Sequence, residues 1–259
     1  MQDARLYDMH CHLDFLADAT GVASEAEQLG LAFFCTTVTP EGYERTRELL
    51  GDRENVHVGV GLHPWWVADG RADAEAVEKA VRLARAERLV GEIGLDNSPS
   101  HVPEGSFELQ VRAFEQLARA CAEGAAETGP KVLSIHAVRA AGIALDILEE
   151  TGCLRENHCI FHWFSGTGEE LHRAVKAGCY FSINEMMMST RRGRDYARQI
   201  PEERLLVETD YPPEEGAGCG AGEIAGSLER TFELLKAVRG RDVHGAVRDN
   251  SRSLLDMEG

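Results

Sequence analysis

Histidine and aspartate alternate near the start of the chain, in the segment Asp8-Met9-His10-Cys11-His12. Side chains two residues apart in a strand point to the same face, so His10 and His12 can bind one metal ion while Cys11 points away. Imidazole nitrogen is a common ligand of divalent transition metals. An isolated His-x-His pair also occurs on surfaces and in packed strands, so both interpretations stay open at this point.

Further histidines and acids follow other apolar segments of the chain. They are His63 before Pro64, Glu92 within the run Leu89–Leu95, His136 after Ile135, His162 before Trp163, and Asp210 after Glu208 and Thr209. Several imidazoles and two carboxylates gathered in one place would be costly to bury without a cation. Glu92 is the clearest member, because an unpaired carboxylate in a buried strand is strongly disfavoured. The set predicts a site for divalent metal ions.

Each member of the set also has a purely structural interpretation. His63 could be a loop residue before Pro64, and Asp210 could cap the loop that follows it. His136 or His162 could be a packed histidine at the end of an apolar strand. Their occurrence together at the ends of several strands favours metal chemistry.

The segments that carry these residues are short, apolar and bounded by turn residues, which is typical of buried parallel strands. We predict strands at Leu6–His10, Leu31–Val38, Val56–Leu62, Leu89–Leu95, Val132–His136, Cys159–Trp163, Tyr180–Asn184 and Leu205–Asp210. We predict helices at Ala74–Ala86, Glu104–Glu127, Ala140–Glu150, Glu169–Ala177, Arg194–Gln199, Glu223–Val238 and Val243–Leu255. Glycines at positions 30, 129, 152 and 178 are expected to end helices.

This alternation predicts an α/β fold, either a (β/α)8 TIM barrel or a doubly wound open sheet. Six of the eight predicted strands deliver a histidine, aspartate or glutamate at the C-terminal end. In a barrel those ends converge on one face, where active sites are assembled, so we favour the barrel. The length of 259 residues fits one such barrel, and we expect residues 1–259 to form a single domain.

Composition limits the classes of partner. The net charge of -17 repels phosphate at long range, so any nucleic-acid role must depend on a local cationic site. The N-terminus does not resemble a signal peptide and no apolar run approaches the roughly 20 residues of a membrane span, so we expect a cytoplasmic protein with no membrane partner. Seven cysteines without a Cys-x-x-Cys pair argue against a disulfide framework or a zinc knuckle and predict reduced, mostly buried thiols.

Taken in chain order, the motifs resemble those of the TatD family of metal-dependent hydrolases. They are His10-x-His12, Gly61-x-His63-Pro64, Gly91-Glu92-Ile93-Gly94-Leu95-Asp96, Ile135-His136, His162-x-Phe164-Ser165-Gly166 and Glu208-Thr209-Asp210. The resemblance implies a (β/α)8 barrel of the wider amidohydrolase-like group, in a family with members described as metal-dependent deoxyribonucleases. It also implies metal ligands at His10, His12, Glu92, His136, His162 and Asp210.

Two departures from the family pattern concern the surroundings of the site. Arg139 lies three residues after His136, whereas the family usually has an arginine two residues after this histidine. The loop after Asp210 contains two prolines, two acids and a glycine-rich run in place of a compact apolar segment. Both lie where substrate would contact the protein, so the chemistry transfers from the family better than the specificity.

These features lead to a hypothesis for catalysis by two divalent ions. Glu92 would bridge them, His10 and His12 would bind one ion, and His136 and His162 the other. Asp210 would hold the metal-bound water and accept its proton, which makes Asp210 and Glu92 the catalytic carboxylates. Zinc is the first choice for such ligands, with manganese, nickel, cobalt or magnesium as alternatives.

The expected substrate is DNA or a small phosphodiester, cleaved in the manner of an exonuclease. His63 and Arg139 are predicted phosphate contacts. Trp163 is a predicted stacking surface for a base, with packing beneath the loops as the alternative. We expect a monomer or weak oligomer without an obligate protein partner. The alternatives are an amidohydrolase-like enzyme acting on C–N or carboxylic ester bonds, which the TatD-like motifs disfavour, and a non-catalytic partner-binding barrel, which the nearly complete ligand set disfavours.

Overall fold

The computed structural model of the protein describes residues 4–216 and 218–255. Its strands are β1 (Leu6–Cys11), β2 (Leu31–Thr36), β3 (Val56–Leu62), β4 (Leu89–Asp96), β5 (Val132–Val138), β6 (His158–His162), β7 (Tyr180–Ile183) and β8 (Leu205–Val207). They form one sheet in chain order from β1 to β8. A doubly wound sheet would reverse its strand order at a switch point, so the predicted (β/α)8 TIM barrel is confirmed.

Helices follow the strands throughout the described part of the chain. They are α1 (Ala19–Leu29), α2 (Pro40–Leu50), α3 (Pro64–Ala68), α4 (Ala74–Ala86), α5 (Phe107–Thr128), α6 (Ala141–Glu150), α7 (Cys153–Glu156), α8 (Gly168–Lys176), α9 (Glu185–Ser189), α10 (Arg191–Gln199), α11 (Ala221–Arg239) and α12 (His244–Leu255). Glycines 30, 129, 152 and 178, the predicted helix ends, all have positive φ. The predicted boundaries of α5, α10 and α11 are off by one to three residues.

Four strands end earlier than predicted. β2 ends at Thr36, β6 at His162, β7 at Ile183, and β8 at Val207, three residues before Asp210. The residue after β6, Trp163, has φ 40°, and Asp210 has φ 60°. Left-handed backbone cannot continue a β ladder, so these two residues lie outside the strands that precede them.

Residue contacts divide the chain into two compact units, and each is described by itself. The first contains the described residues of 1–36, 45–58 and 180–258. In this unit β1 pairs with β2 and β7 pairs with β8, both in parallel. Every residue of β1, β2 and β8 is buried, which explains why these segments are almost continuously apolar. The Asp18 carboxylate caps α1 by accepting a hydrogen bond from the Gly21 N–H, and α1 ends at Gly30.

The second unit contains residues 37–44 and 59–179 among those described. Its strands β4, β5 and β6 pair in parallel, with Gly94 opposite His136 across β4 and β5. Helix α8 begins with a reciprocal capping box between Thr167 and Glu170. Lys131, just before β5, is completely buried and donates to the carbonyl oxygens of Arg85 and Glu87, each at 2.8 Å.

The cysteines agree with the prediction of reduced thiols. All seven are free; six are buried and Cys219 is partly exposed. Burial raises the pKa of buried thiols such as Cys35, which disfavours their reactive thiolate form. These cysteines therefore act as small apolar side chains.

Candidate metal centre

Glu92 is the centre of a group of histidines in the second unit. Its side chain is 3% exposed, and its Oε1 lies 2.7 Å from Nδ1 of His136, 2.9 Å from Nε2 of His162 and 3.3 Å from Nε2 of His63. Each histidine comes from the end of a strand: His63 follows β3, His136 lies in β5 and His162 closes β6. Three of the predicted strand ends therefore deliver imidazole nitrogens to one carboxylate oxygen.

Close backbone approach makes this convergence possible. A Cβ atom at Gly94 would lie 2.0 Å from the carbonyl oxygen of His136, so only glycine fits where β4 faces His136. A Cβ atom at Gly61 would lie 1.5 Å from the carbonyl oxygen of Thr37. That same oxygen accepts a hydrogen bond from the Glu92 N–H at 2.9 Å. The glycines of the two motifs thus set the distances between the strands that carry His63, Glu92 and His136.

His63 was predicted as a phosphate contact, and the structure places it in the group around Glu92. Its Nδ1 accepts a hydrogen bond from the Trp65 N–H at 3.2 Å. A neutral imidazole that accepts at Nδ1 carries its proton on Nε2, which is the atom that faces Glu92. His63, Glu92 and His136 each offer a ligand atom, and these atoms lie within 4.8 Å of one another.

His136 contacts a second carboxylate through its other nitrogen. Its Nε2 lies 3.1 Å from Oδ2 of Asp96, the last residue of β4. Burial favours the neutral form of Asp96, but hydrogen bonds from His136, Ser98 and Trp65 outweigh burial and lower its pKa below the ordinary value. Burial likewise opposes protonation of His136, yet its hydrogen bonds to Asp96 and Glu92 raise its pKa.

A second group of predicted ligands lies in the first unit, where the chain after β8 meets the end of β1. Oδ1 of Asp210 lies 3.5 Å from Nε2 of His10 and 3.4 Å from Nε2 of His12. The Asp210 N–H donates to the His10 carbonyl at 2.9 Å, and the His12 N–H donates to the Tyr211 carbonyl at 2.8 Å. The backbone therefore fixes Asp210 against both histidines, as expected if the three side chains bind one metal ion.

The orientation of His12 suits metal binding. Its Nδ1 lies 3.2 Å from the carbonyl oxygen of Thr36, which can only accept a hydrogen bond. Nδ1 therefore carries the proton, and the lone pair is on Nε2, the nitrogen that faces Asp210. Metal-binding histidines commonly donate their other nitrogen to a backbone carbonyl in this way.

Two buried acids outside the predicted ligand set lie beside this second group. Both carboxylate oxygens of Asp8 accept hydrogen bonds from Thr209, one from its N–H and one from its hydroxyl. Burial raises the pKa of Asp8 to about 7, against the lowering effect of these hydrogen bonds. Glu208 accepts from Ser182 and Asn184 and is completely buried. Asp8 and Glu208 therefore hold the ends of β1, β7 and β8 together beside the predicted ligands.

The other two predicted substrate contacts are exposed. Arg139 follows β5 with φ 53°, and Trp163 follows β6 with 37% of its surface exposed. The sequence did not single out Asp96, which contacts His136, as a site residue, and it did not predict that Trp65 contacts Asp96. The signal for Asp96 was available, because it is an acid at the C-terminal end of a buried strand like the other predicted ligands.

The chemistry of these groups fits divalent metal ions. Clustered imidazole nitrogens and carboxylate oxygens are donors that suit zinc and neighbouring transition metals. The family comparison agrees with this geometry: a family model described as TatD related DNase matches residues 7–256. The chain belongs to the TatD family. It is accordingly a metal-dependent hydrolase of the TatD type, in a family in which some members are named as deoxyribonucleases.

Two bacterial relatives resemble this chain over most of its length. The metal-dependent hydrolase YcfH of Escherichia coli K12 is 32% identical over 220 residues, which cover 80% of this chain and 77% of YcfH. The 3'-5' ssDNA/RNA exonuclease TatD of Edwardsiella piscicida is 28% identical over 212 residues, which cover 76% of this chain and 75% of that protein.

Solved TatD structures share the fold. The TatD homologue YJJV of Escherichia coli K12 has a TM-score of 0.80 at 21% identity and covers 99% of this chain, which covers all of YJJV. A TatD family hydrolase of Entamoeba histolytica has a TM-score of 0.75 at 16% identity, with 96% of this chain and 97% of that one covered. Across residues 4–216 and 218–255, no helix has the length and apolar character needed to span a bilayer.

Proposed function

We propose that this TatD protein hydrolyses phosphodiester bonds at the ends of DNA strands with the aid of two divalent metal ions. The observation that carries the proposal is the convergence of His63, His136 and His162 on one oxygen of Glu92. So many buried donors around one carboxylate are best explained by a cation. The activity named for the Edwardsiella relative supports nucleic acid as the substrate class.

The proposed ligands form two sets. Glu92, His136 and His162 would hold one ion, and His10, His12 and Asp210 would hold the other. Zinc is the first choice because both sets combine imidazole with carboxylate, and manganese, nickel, cobalt or magnesium would be tested beside it.

The chain's own residues have distinct parts in the proposed reaction. Bound divalent ions supply a nucleophilic water of lowered pKa and stabilise charge on phosphoryl oxygens. The Asp210 side chain is 23% exposed, so its carboxylate can reach a water molecule, orient it and accept its proton. Glu92 is almost completely buried, and its negative charge would stabilise the cluster of histidines around it.

Three residues are proposed to contact substrate. His63 would turn its Nε2–H from Glu92 to a phosphate oxygen when substrate is bound, and the exposed Arg139 would pair with a phosphate. The exposed indole of Trp163 would stack on a base. These contacts suit a short single-stranded end better than a long duplex, because the net charge of -17 repels an extended phosphate backbone.

Metal content and substrate preference test the proposal together. Metal-free protein would be loaded separately with zinc, manganese, cobalt, nickel or magnesium. Each form would be assayed on end-labelled single-stranded DNA, a chromogenic phosphodiester, and a panel of amides and lactones. We expect two bound ions per chain and hydrolysis of the first two substrates only. Hydrolysis confined to amides or lactones would instead establish the alternative C–N or carboxylic ester activity.

A ligand variant and a matched control complete this test. His10→Ala combined with His12→Ala should lose the ion of that set, and hydrolysis with it. His172→Ala, which removes an exposed imidazole from α8, should retain both. Undiminished hydrolysis in metal-free wild-type protein would refute the proposal, and so would loss of neither property in the double variant.

We also infer a single domain over residues 1–259 that acts in the cytoplasm as a monomer or weak oligomer without an obligate partner. Scattering or sedimentation of the purified protein tests the oligomeric state. Limited proteolysis tests the domain count, and cell fractionation tests the location.

A further inference from the structure

Asp96 is a buried carboxylate that the proposed reaction does not use. It is 1% exposed, and each of its oxygens faces a fixed donor. Oδ1 accepts from the Ser98 N–H at 2.7 Å, and Oδ2 accepts from Nε1–H of Trp65 at 2.7 Å. Backbone amide and indole N–H groups can only donate, so both oxygens are held as acceptors.

This arrangement determines where His136 carries a proton. Nε2 of His136 lies 3.1 Å from Oδ2 of Asp96, an oxygen that already accepts from Trp65. A carboxylate held as an acceptor requires His136 to donate, so the proton lies on Nε2. Nδ1, 2.7 Å from Glu92, is then the nitrogen that would present its lone pair to a bound metal ion, and without the ion it can share a second proton with Glu92.

The position of Asp96 is itself fixed from several sides. Its N–H donates to Oε1 of Gln110 at 2.8 Å, and Nε2 of Gln110 donates to the Asp96 carbonyl at 3.0 Å. Trp65 stacks on the ring of His101 with a centroid separation of 4.3 Å, which orients the indole N–H. Both the backbone and the side chain of Asp96 are thus held independently of His136.

We propose that Asp96 is a positioning residue that keeps the Nε2 proton of His136 in place, so that Nδ1 is presented as the metal ligand, and that Trp65 supports it by anchoring Oδ2. The proposal rests on the proposed function for the identity of His136 as a ligand. Carboxylates that orient metal-binding histidines typically change metal affinity by about 10- to 100-fold when they are replaced.

Asp96→Asn is the direct test because it changes one oxygen to a donor with little change of shape. If the remaining oxygen accepts from Ser98, the new NH₂ group faces both Trp65 and Nε2 of His136. Nε2 of His136 must then lack a proton in order to accept a hydrogen bond from the NH₂ group, and the ring proton lies on Nδ1. We expect zinc affinity, measured by competition with a chromophoric chelator, to fall by about 10- to 100-fold.

Nitrogen-15 NMR of the metal-free protein provides a readout that does not depend on metal or activity. We expect Nε2 of His136, assigned by comparison with His136→Ala, to carry a proton in wild-type protein and to lack it in Asp96→Asn. Asp69→Asn, the same chemical change at an exposed aspartate paired with Arg71, should leave both the NMR signal and the zinc affinity unchanged.

A second variant covers the case in which Asp96→Asn does not fold, which circular dichroism would reveal. Trp65→Phe removes one donor and keeps the carboxylate, so we expect a smaller fall in zinc affinity with Nε2 of His136 still protonated. Unchanged affinity in every variant that folds would overturn the proposal, as would an unprotonated Nε2 in wild-type protein. Wild-type protein that binds no metal would instead overturn the proposed function, and the role of Asp96 as a metal-positioning residue with it.

Discussion

Trp163 is a large aromatic residue at a position where burial would be expected. It follows His162 directly, yet 37% of its surface is exposed and its backbone is left-handed, with φ 40°. A tryptophan held in this conformation beside a proposed ligand histidine can present an aromatic face to a bound molecule. This geometry gives the proposed base contact a physical basis that the sequence alone did not supply.

Replacing the Trp163 side chain should weaken the binding of DNA and leave the hydrolysis of smaller substrates unchanged. Stacking of a base on an aromatic residue contributes about 1–3 kcal/mol, so Trp163→Ala should weaken binding of single-stranded oligonucleotides by about 5- to 150-fold. Trp163→Phe should retain most of the affinity. Fluorescence anisotropy measures binding, and kcat/KM on a chromogenic phosphodiester that lacks a base should be unchanged. An equal loss on both kinds of substrate would indicate a structural role.

At the level of single residues, the sequence indicated the composition of the candidate site but not its hydrogen bonds. The strand-end pattern identified His136 and Glu92, because an acid and imidazoles in buried strands need compensation. It could not show that His136 lies between Glu92 and Asp96, or that Trp65 donates to Asp96. Those contacts depend on rotamers and on the register of β4 with β5, which residue spacing does not determine.

Between elements, the contact of β4 with β5 depends on Gly94. Gly94→Ala would place a methyl group 2.0 Å from the His136 carbonyl oxygen, at a backbone φ of 145° that alanine disfavours. We expect the free energy of unfolding to fall by about 2–4 kcal/mol, from overpacking and backbone strain together.

The control for this change is Gly105→Ala. Gly105 also has positive φ, at 81°, but a Cβ atom there would meet nothing within 4 Å. Its replacement should therefore lower the free energy of unfolding only by the backbone strain of about 1–2 kcal/mol. Urea denaturation of both variants measures the difference, and equal losses would contradict the role of close approach at His136.

The end of α4 is tied to the start of β5 by Lys131. Its amino group donates to two backbone carbonyls and to the hydroxyl of Thr128, at 3.1 Å. Lys131→Met would keep the apolar stem but leave buried carbonyls without this donor, at about 1–3 kcal/mol for each. We expect a lower free energy of unfolding and no direct effect on zinc affinity.

Stability should also depend on pH through Lys131. Burial lowers its pKa below the ordinary value of 10.5. Between the lowered pKa and 10.5 the unfolded chain binds a proton that the folded chain has released, so the contribution of Lys131 to stability rises with pH in that window. The stability difference between wild-type protein and Lys131→Met should therefore grow as the pH rises toward 10.5. Urea titrations at each pH measure it, and a shrinking difference would contradict the direction of the pKa change.

Secondary structure was predictable where local pattern and tertiary structure agree. The apolar runs located all eight strands, and the glycines at 30, 129, 152 and 178 marked helix ends. The predicted end of β8 at Asp210 was wrong because Asp210 has φ 60°. Aspartate takes this conformation here under tertiary constraint. That conformation is held by hydrogen bonds from the Asp210 N–H to the His10 carbonyl and from Thr209 to Asp8. The local sequence pattern does not predict these hydrogen bonds.

For the whole molecule, the net charge of -17 limits how nucleic acid can bind. Long-range attraction is absent, so affinity should come from the metal ions, a few local cations and stacking. The logarithm of oligonucleotide affinity should therefore fall with the logarithm of salt concentration at a slope of magnitude about 1–2, since each phosphate neutralised on a single strand contributes about 0.7.

Arg139→Ala provides the control for this measurement. Loss of one phosphate contact should reduce the slope by about 0.7 and weaken binding similarly for all sequences. A steep slope in wild-type protein, comparable with that of basic DNA-binding proteins, would show that an extended cationic surface had been overlooked.

Arg139, Trp163 and Asp210 are the non-glycine residues with left-handed backbone in the described part of the chain. Each conformation disfavours an L side chain by about 1–2 kcal/mol, and together they offset a sizeable share of the 5–15 kcal/mol by which such proteins are typically stable. Glycine at these positions would relieve the strain and remove the side chain. Laboratory selection for thermal tolerance alone would therefore tend to enrich glycine there and yield robust barrels without the proposed substrate and nucleophile contacts, so selection of this protein should screen for turnover and heat resistance together.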